Sequence, residues 1–213
     1  YQELGGNLIT VGSAFDYSSL GCTHHSYNDL GLISSYPNTE VCYPSSPKEL
    51  IDLLAQRYNS NKLTYFRMAR NPHGVEFKDV KFGENIIVSK GSDLTLITSG
   101  PQLKEVIKTA EDLKIQGIST EIIYCHTIKP FDSKSLINSA KKTGRVFVVE
   151  EHISMGSLVS NVLDSLRLIP SIKIDYHCIE DKFIRKYGSY QEILNGLNFK
   201  SEHFIKKIKN NLF

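Results

Sequence analysis

Two rhythms of apolar and polar positions alternate along the chain. Short apolar runs rich in β-branched and aromatic residues carry the signature of strands. They are NLITVGS (7–13), EVCYP (40–44), LTYFRMA (63–69), DLTLITSG (93–100), TEIIYC (120–125), RVFVVEE (145–151) and IKIDYHC (172–178). Between them, apolar residues recur at helical spacing. A short helix is expected over 26–36, stopped by Pro37. The next has the clearest start: Ser46 as N-cap, Pro47 at the first helical position and Glu49 completing a capping box. Leu50, Leu53, Leu54 and Arg57 follow it. Leu103, Val106, Ile107, Ala110, Leu113 and Ile115 mark a long amphipathic helix closed by Gly117. Helices are also expected over 133–143, capped by Gly144, and over about 156–168. A second capping box, Ser189 with Glu192, precedes a last helix that runs to about Leu212.

Strands that alternate with helices of this length indicate βαβ units around parallel sheets. The expected fold class is α/β: two three-layer α/β units with mainly parallel sheets. Residues 1–75 make the first unit, with three strands and two helices, and it reads as incomplete. Residues 86–213 make the second. The stretch 71–92 is rich in glycine, charge and asparagine, and a linker is placed at 76–85 within it.

Composition narrows the function. The 213 residues suffice to bury a core. Against 23 acidic residues stand 25 basic ones, a net charge of +2, so a nucleic-acid partner is not expected. Lys206, Lys207 and Lys209 read as a solvated helix face. Cys22, Cys42, Cys125 and Cys178 form no C-x-x-C pair and no disulfide framework, which fits reduced thiols in a cytoplasmic protein. No apolar run approaches the ~20 residues of a membrane span, and no signal peptide opens the chain. The start at Tyr1, without methionine, is expected to reflect processing or a fragment.

The candidate chemistry begins at GCTHHSYNDLG (21–31). Adjacent histidines bind one ion poorly and no second ligand pair stands at finger spacing, so no metal site is expected. Neither a G-x-S-x-G elbow nor a phosphate-binding G-x-x-x-x-G-K-[ST] loop occurs. What remains is His24 and His25 in a tight loop between a strand and the mouth of a helix. Ligands of open α/β sheets bind at the carboxyl ends of strands. A helix N-terminus favours anions and holds an imidazole neutral. The place suits a sugar phosphate, and a structural turn histidine remains the alternative. Strand alternation puts Arg67 and Ala69 on one face and Met68 and Arg70 on the other. Arg70, at the strand's end, is either a phosphate clamp or a plain surface arginine.

These residues resemble the transketolase family. GCTHHSYNDLGLISSYPNTEVCYPSSPKEL is similar to its G-x-T-H-[HQ]-x-x-x-D pattern. TIKPFD (127–132), VFVVEEHISMGSL (146–158) and YGSYQEIL (187–194) resemble three further motifs in the family's order. The resemblance implies that 1–75 is part of a pyrimidine-binding domain and 86–213 a transketolase C-terminal domain. It implies thiamine diphosphate as cofactor, with magnesium held by an upstream diphosphate-binding domain. His24 would face the thiazolium and the donor sugar's oxygens, His25 would stand beside it, and Arg70 would hold the substrate phosphate. The family reaction transfers a two-carbon ketol unit between sugar phosphates. The activating glutamate, the ring-stacking aromatic and the metal motif belong upstream of Tyr1. The chain is therefore expected to act only with an N-terminal transketolase half or subunit, in a homodimer or heterotetramer. It departs from the pattern at Leu20, where transketolases proper carry an aspartate that contacts a donor hydroxyl, and at Ser157 and Val159. A 1-deoxyxylulose-5-phosphate synthase-like enzyme, which also carries T-H-H, and a non-catalytic assembly module are the alternatives. The beta subunit of 2-oxo-acid dehydrogenases lacks T-H-H and the arginine. Lys129-Pro130 is expected to shape a βα turn with Asp132 or Ser133 as cap, and Glu150, Glu151 and His152 to be structural or interface residues.

Overall fold

The computed structural model describes residues 2–213. The first sheet is built from β1 (Gly6–Val11), β2 (Thr39–Cys42) and β3 (Leu63–Met68) in the order β1-β3-β2, all parallel. Between them run α1 (Asp29–Ser34) and α2 (Pro47–Arg57). The second sheet is built from β4 (Ile86–Ser89), β5 (Leu94–Thr98), β6 (Thr120–Tyr124), β8 (Arg145–Ile153) and β9 (Lys173–Ile179). Its order is β4-β6-β5-β8-β9, parallel except for the edge strand β4. The helices are α3 (Leu103–Ile115), α4 (Ser133–Thr143), α5 (Leu158–Leu166), α6 (Tyr190–Gly196) and α7 (Ser201–Asn211). This is a mixed α/β fold with two sheets of mainly parallel strands, as the alternation predicts. No described helix is long and apolar enough to cross a membrane.

One strand changes how the two units relate. β7 (Thr127–Lys129) follows β6 in the second unit yet pairs antiparallel with β2, making the first sheet β1-β3-β2-β7. The reach is fixed at both ends. Tyr43 N–H donates to His126 O (2.8 Å). The Lys129 ammonium donates to Ser34 O (2.9 Å), Tyr36 O (2.7 Å) and Thr39 Oγ1 (3.0 Å), closing carbonyls at the end of α1. So Lys129 does more than shape a turn, while Asp132 caps α4 as expected. The packing follows suit. One cluster joins Leu30, Val41, Tyr43 and Tyr65 of the first unit to Ile97, Ile123, Val146 and Leu158 of the second.

The stretch expected to be a linker, 76–85, packs against the first sheet. Its Val80 is buried against Cys42, Leu53 and Phe66. Ser46 caps α2 as expected, but Glu49 does not close the capping box onto Ser46 N–H. Its carboxylate accepts instead from Ser45 N–H (2.9 Å) and Tyr124 Oη (2.8 Å) and meets His73 Nε2 at 2.7 Å, linking α2, the loop after β3 and β6. Burial opposes its ionisation, but the His73 contact and these bonds outweigh it and hold the carboxyl below its ordinary range. The expected last helix is two helices, parted where Asn198 adopts φ 62°. The backbones of the two units touch at Gly31 and Gly156. A Cβ on Gly31 would lie 2.7 Å from Met155 O, and one on Gly156 would lie 2.8 Å from Gly31 Cα.

Two histidines bear on acid stability. Burial pushes both His126 and His177 down to about 4. The Leu197 carbonyl facing His177 works the other way without reversing the shift. Between about pH 6.5 and 4 the unfolded chain therefore binds more protons than the folded one. Their contribution is full above pH 6.5 and falls as the medium is acidified, with a slope of about 1.4 kcal/mol per pH unit per group; Glu151, whose buried carboxyl is pushed up to about 7, binds a proton on folding in the same window and offsets one of the two. Urea midpoints measured from pH 7 to 4.5 should fall, and fall less in His177→Phe; identical profiles for the two proteins would contradict the assignment.

Candidate functional site

β1 and β3 are parallel neighbours, so the loops that follow them emerge side by side at the carboxyl ends of both strands. Asp16 knits them together. Its carboxylate accepts from Ser13 N–H (2.6 Å) and Ser13 Oγ (3.1 Å) in the loop after β1. It also accepts from Arg70 N–H (2.9 Å) and the Asn71 amide in the loop after β3. The Arg70 guanidinium lies 5.0 Å from the centre of the Tyr17 ring, within cation–π range. Arg70 is exposed. From Tyr17 the chain makes two single turns of 3-10 helix, Ser18–Leu20 and Cys22–His24. Leu20 stands 52% exposed on the first.

His24 closes the second turn, exposed, with Nδ1 2.9 Å from Thr23 Oγ1. His25 is half-buried, its ring edge-on to Phe15 at 5.0 Å. Burial, with the adjacent His24, holds His25 below the usual imidazole range, partly offset by the backbone of Ile184. The expected helix mouth is displaced. His25 is extended (φ −80°, ψ 131°), and Ser26 N–H donates to Ala14 O (2.9 Å), drawing the chain into a bridge. α1 starts only at Asp29 after Asn28. The field of a helix N-terminus is therefore not what disfavours the charged imidazole here; burial is.

Arg67 carries no motif, yet it organises the neighbourhood. It is fully buried. Its guanidinium donates to Ser26 O, lies 3.3 Å from Asp29 Oδ2 and stacks on Tyr43 at 4.6 Å. Tyr65 Oη donates to the same Asp29 oxygen (2.7 Å). Burial opposes Arg67's charge, but Asp29 and then Tyr43, Glu151 and Tyr65 outweigh it and keep the guanidinium protonated. Glu151, also fully buried, accepts from Tyr190 Oη (2.6 Å) and Gln102 Nε2 (2.9 Å). Burial pushes its carboxyl up to about 7 against those bonds and the Arg67 charge. The one signal for Arg67 in the residues is LTYFRMA itself: a charge in mid-strand, on the face opposite Arg70, with apolar neighbours.

The neighbours of Glu151 also bond internally. Glu150 accepts from the Leu158 (2.8 Å) and Val159 (2.9 Å) N–H groups at the start of α5. His152 Nε2 accepts from Gly31 N–H (3.2 Å) across the two units. A hollow of about 550 Å³ lies against α3, β4 and β6, lined by Val88, Ile107, Ile118, Ile122 and Lys114 and by no residue of the histidine loop. Among the described residues no group of three or more His, Cys, Asp or Glu is placed to hold a metal ion.

The sequence profile described as "Transketolase, C-terminal domain" matches residues 83–200. The chain belongs to that family. A subunit of the apulose-4-phosphate transketolase of Phocaeicola vulgatus is 27% identical over 170 residues, 78% of this chain and 54% of that protein. The 1-deoxy-D-xylulose-5-phosphate synthase of Natranaerobius thermophilus is 28% identical over 90% of this chain and 31% of its own. The chain thus spans about half the length, or less, of these relatives. A solved split-gene transketolase, described as an inactive beta4 tetramer, shares the fold with a TM-score of 0.83 at 20% identity, over 97% of this chain and 66% of that one.

Removing Arg67 should leave Ser26 O without its donor and the Asp29 carboxylate with Tyr65 but no counter-charge. Arg67→Met is expected to cost about 3–5 kcal/mol of stability, read as a lower denaturant midpoint. An unchanged midpoint would show that the network contributes nothing net.

Proposed function

We propose that the chain is the C-terminal section or subunit of a thiamine-diphosphate-dependent transketolase-like enzyme that passes a two-carbon ketol unit between sugar phosphates. The observation that carries this reading is the pairing by Asp16 of two loops. One bears exposed His24 beside His25, the other exposed Arg70, both at the carboxyl ends of adjacent parallel strands. Arg70 offers a planar fork of donors to a phosphate. His24, with Nδ1 engaged by Thr23, offers its other ring nitrogen to a sugar hydroxyl or carbonyl oxygen. His25 stands beside it, disfavoured as a cation, with both ring nitrogens buried and without a hydrogen-bond partner in this chain, so a donor or acceptor brought by substrate would complete it.

These residues fit the substrate side of such a site. They do not fit the cofactor's diphosphate or its magnesium, which a partner half must bind. This chain's part is therefore to bind the phosphate, orient the sugar and hold a proton at His24. The split-gene neighbour, described as an inactive tetramer of beta chains, supports a subunit that is idle without its complement. So does the subunit status of the apulose-4-phosphate relative. A 1-deoxyxylulose-5-phosphate synthase-like reaction is the second reading, favoured by the match over 90% of the chain.

Ketol transfer should be measured with thiamine diphosphate, using this chain alone and with an N-terminal half supplied. Activity is expected only in the mixture. His24→Ala should lower kcat about 10²–10⁴-fold. Arg70→Ala should raise KM for a phosphorylated sugar about 10-fold or more while sparing an unphosphorylated one. With pyruvate and a triose phosphate supplied instead, formation of deoxyxylulose phosphate with release of CO2 would favour the second reading. A folded complex that forms neither product would leave an assembly module.

A further inference from the structure

Between β9 and α6 the second unit sends an irregular strap, residues 180–189, across the loop that carries the histidines. Tyr27 Oη donates to Lys182 O (2.9 Å) and accepts from Ile184 N–H (3.2 Å). Ile184 is buried in one cluster with Phe15. Ser18 Oγ donates to Gly188 O (2.8 Å). Between these two attachments the Tyr187 ring rests on Gly21. A Cβ there would come within 2.3 Å of Tyr187 Cε1, and Gly21 holds φ 80°, a conformation other residues adopt only at a cost. The loop is therefore gripped upstream of His24 at Ser18 and Gly21, and downstream of His25 at Tyr27. His24, in the middle, stays exposed.

The ring itself gains little from the contact, because Tyr187 is 71% exposed. Its effect falls on the loop beneath it. The geometry points to Tyr187 as a positioning residue, through which the strap of the second unit fixes the loop so that His24 and His25 meet substrate in a single arrangement. The effect on turnover rests on the proposed ketol transfer; the grip on the loop does not.

The test uses Tyr187→Ala and Tyr187→Phe in the assembled protein, with the complementary half present. Hydrogen–deuterium exchange in peptides covering 18–27 should quicken about tenfold or more in Tyr187→Ala, with the β5 and β8 peptides unchanged. In the same variant kcat should fall about 10–100-fold with a smaller change in KM, the mark of a misplaced catalytic group. Tyr187→Phe, which keeps the ring, should restore both. Gly21→Ala, which drives the ring off the loop, is the second variant and should loosen the same peptides. Unchanged exchange at 18–27 in Tyr187→Ala would overturn the proposal, whatever Gly21→Ala does and whatever happens to turnover. If the unaltered protein transfers no ketol unit, the functional reading fails, and the exchange result still decides the grip.

Discussion

Taking a guanidinium out of water costs several kcal/mol, which only nearby charge and hydrogen bonds can offset. Arg67 has no exposed surface, so its surroundings have to supply both. Asp29 supplies the charge, Ser26 O accepts a hydrogen bond, and the Tyr43 ring lies against the guanidinium face. Glu151 of the second unit adds its field, and itself depends on Tyr190 and Gln102. Pairing one buried cation thus ties together the end of the loop after β1, the start of α1 and β8, and does so incompletely, since Arg67 Nε and Nη1 keep no hydrogen-bond partner. A network of this kind does little for net stability compared with a well-packed apolar core, and more for uniqueness, since any other docking would strand a charge.

The histidine loop inherits that order. Ser26 is held from below by Arg67 and bridged to Ala14, so the two residues before it cannot continue into a helix. Asp16 ties the loop sideways to Arg70, and the strap covers it from above. Exposed His24 is thereby carried on backbone that is fixed on three sides, which is how a short, glycine-containing turn can present a side chain reproducibly.

Features set by local chemistry could be read from residues alone. Pro47 after Ser46, Ser189 with Glu192, and Gly144 after 133–143 each satisfy a helix end with neighbours in sequence, and these ends lie where expected. The apolar strands of the second sheet were equally plain, because burial on both faces leaves little room for polar residues. What escaped depends on partners far away in the chain. TIK is too short and too polar to announce a strand, and becomes one because β2 offers an open edge and Lys129 finds three acceptors. The capping-box pattern gives Glu49 a role within its own helix, but His73 and Tyr124 claim it. The same limit applied to the candidate site. His24 and Arg70 could be named from their motif and strand position, but their connection runs through Asp16, which belongs to no motif and looks like any loop aspartate.

The loan of β7 to the first sheet constrains how this protein can vary. A chimera that kept residues 1–75 and took the rest from a relative would import the strand that completes the recipient's sheet. It would also import the lysine that closes α1. The donor would need matching register against Val41 and Cys42 and a cation of matching reach, or the graft would leave β2 as a bare edge. Substitutions near Ser34–Thr39 and near Thr127–Lys129 are therefore expected to be inherited as a set, although some 90 residues separate them along the chain.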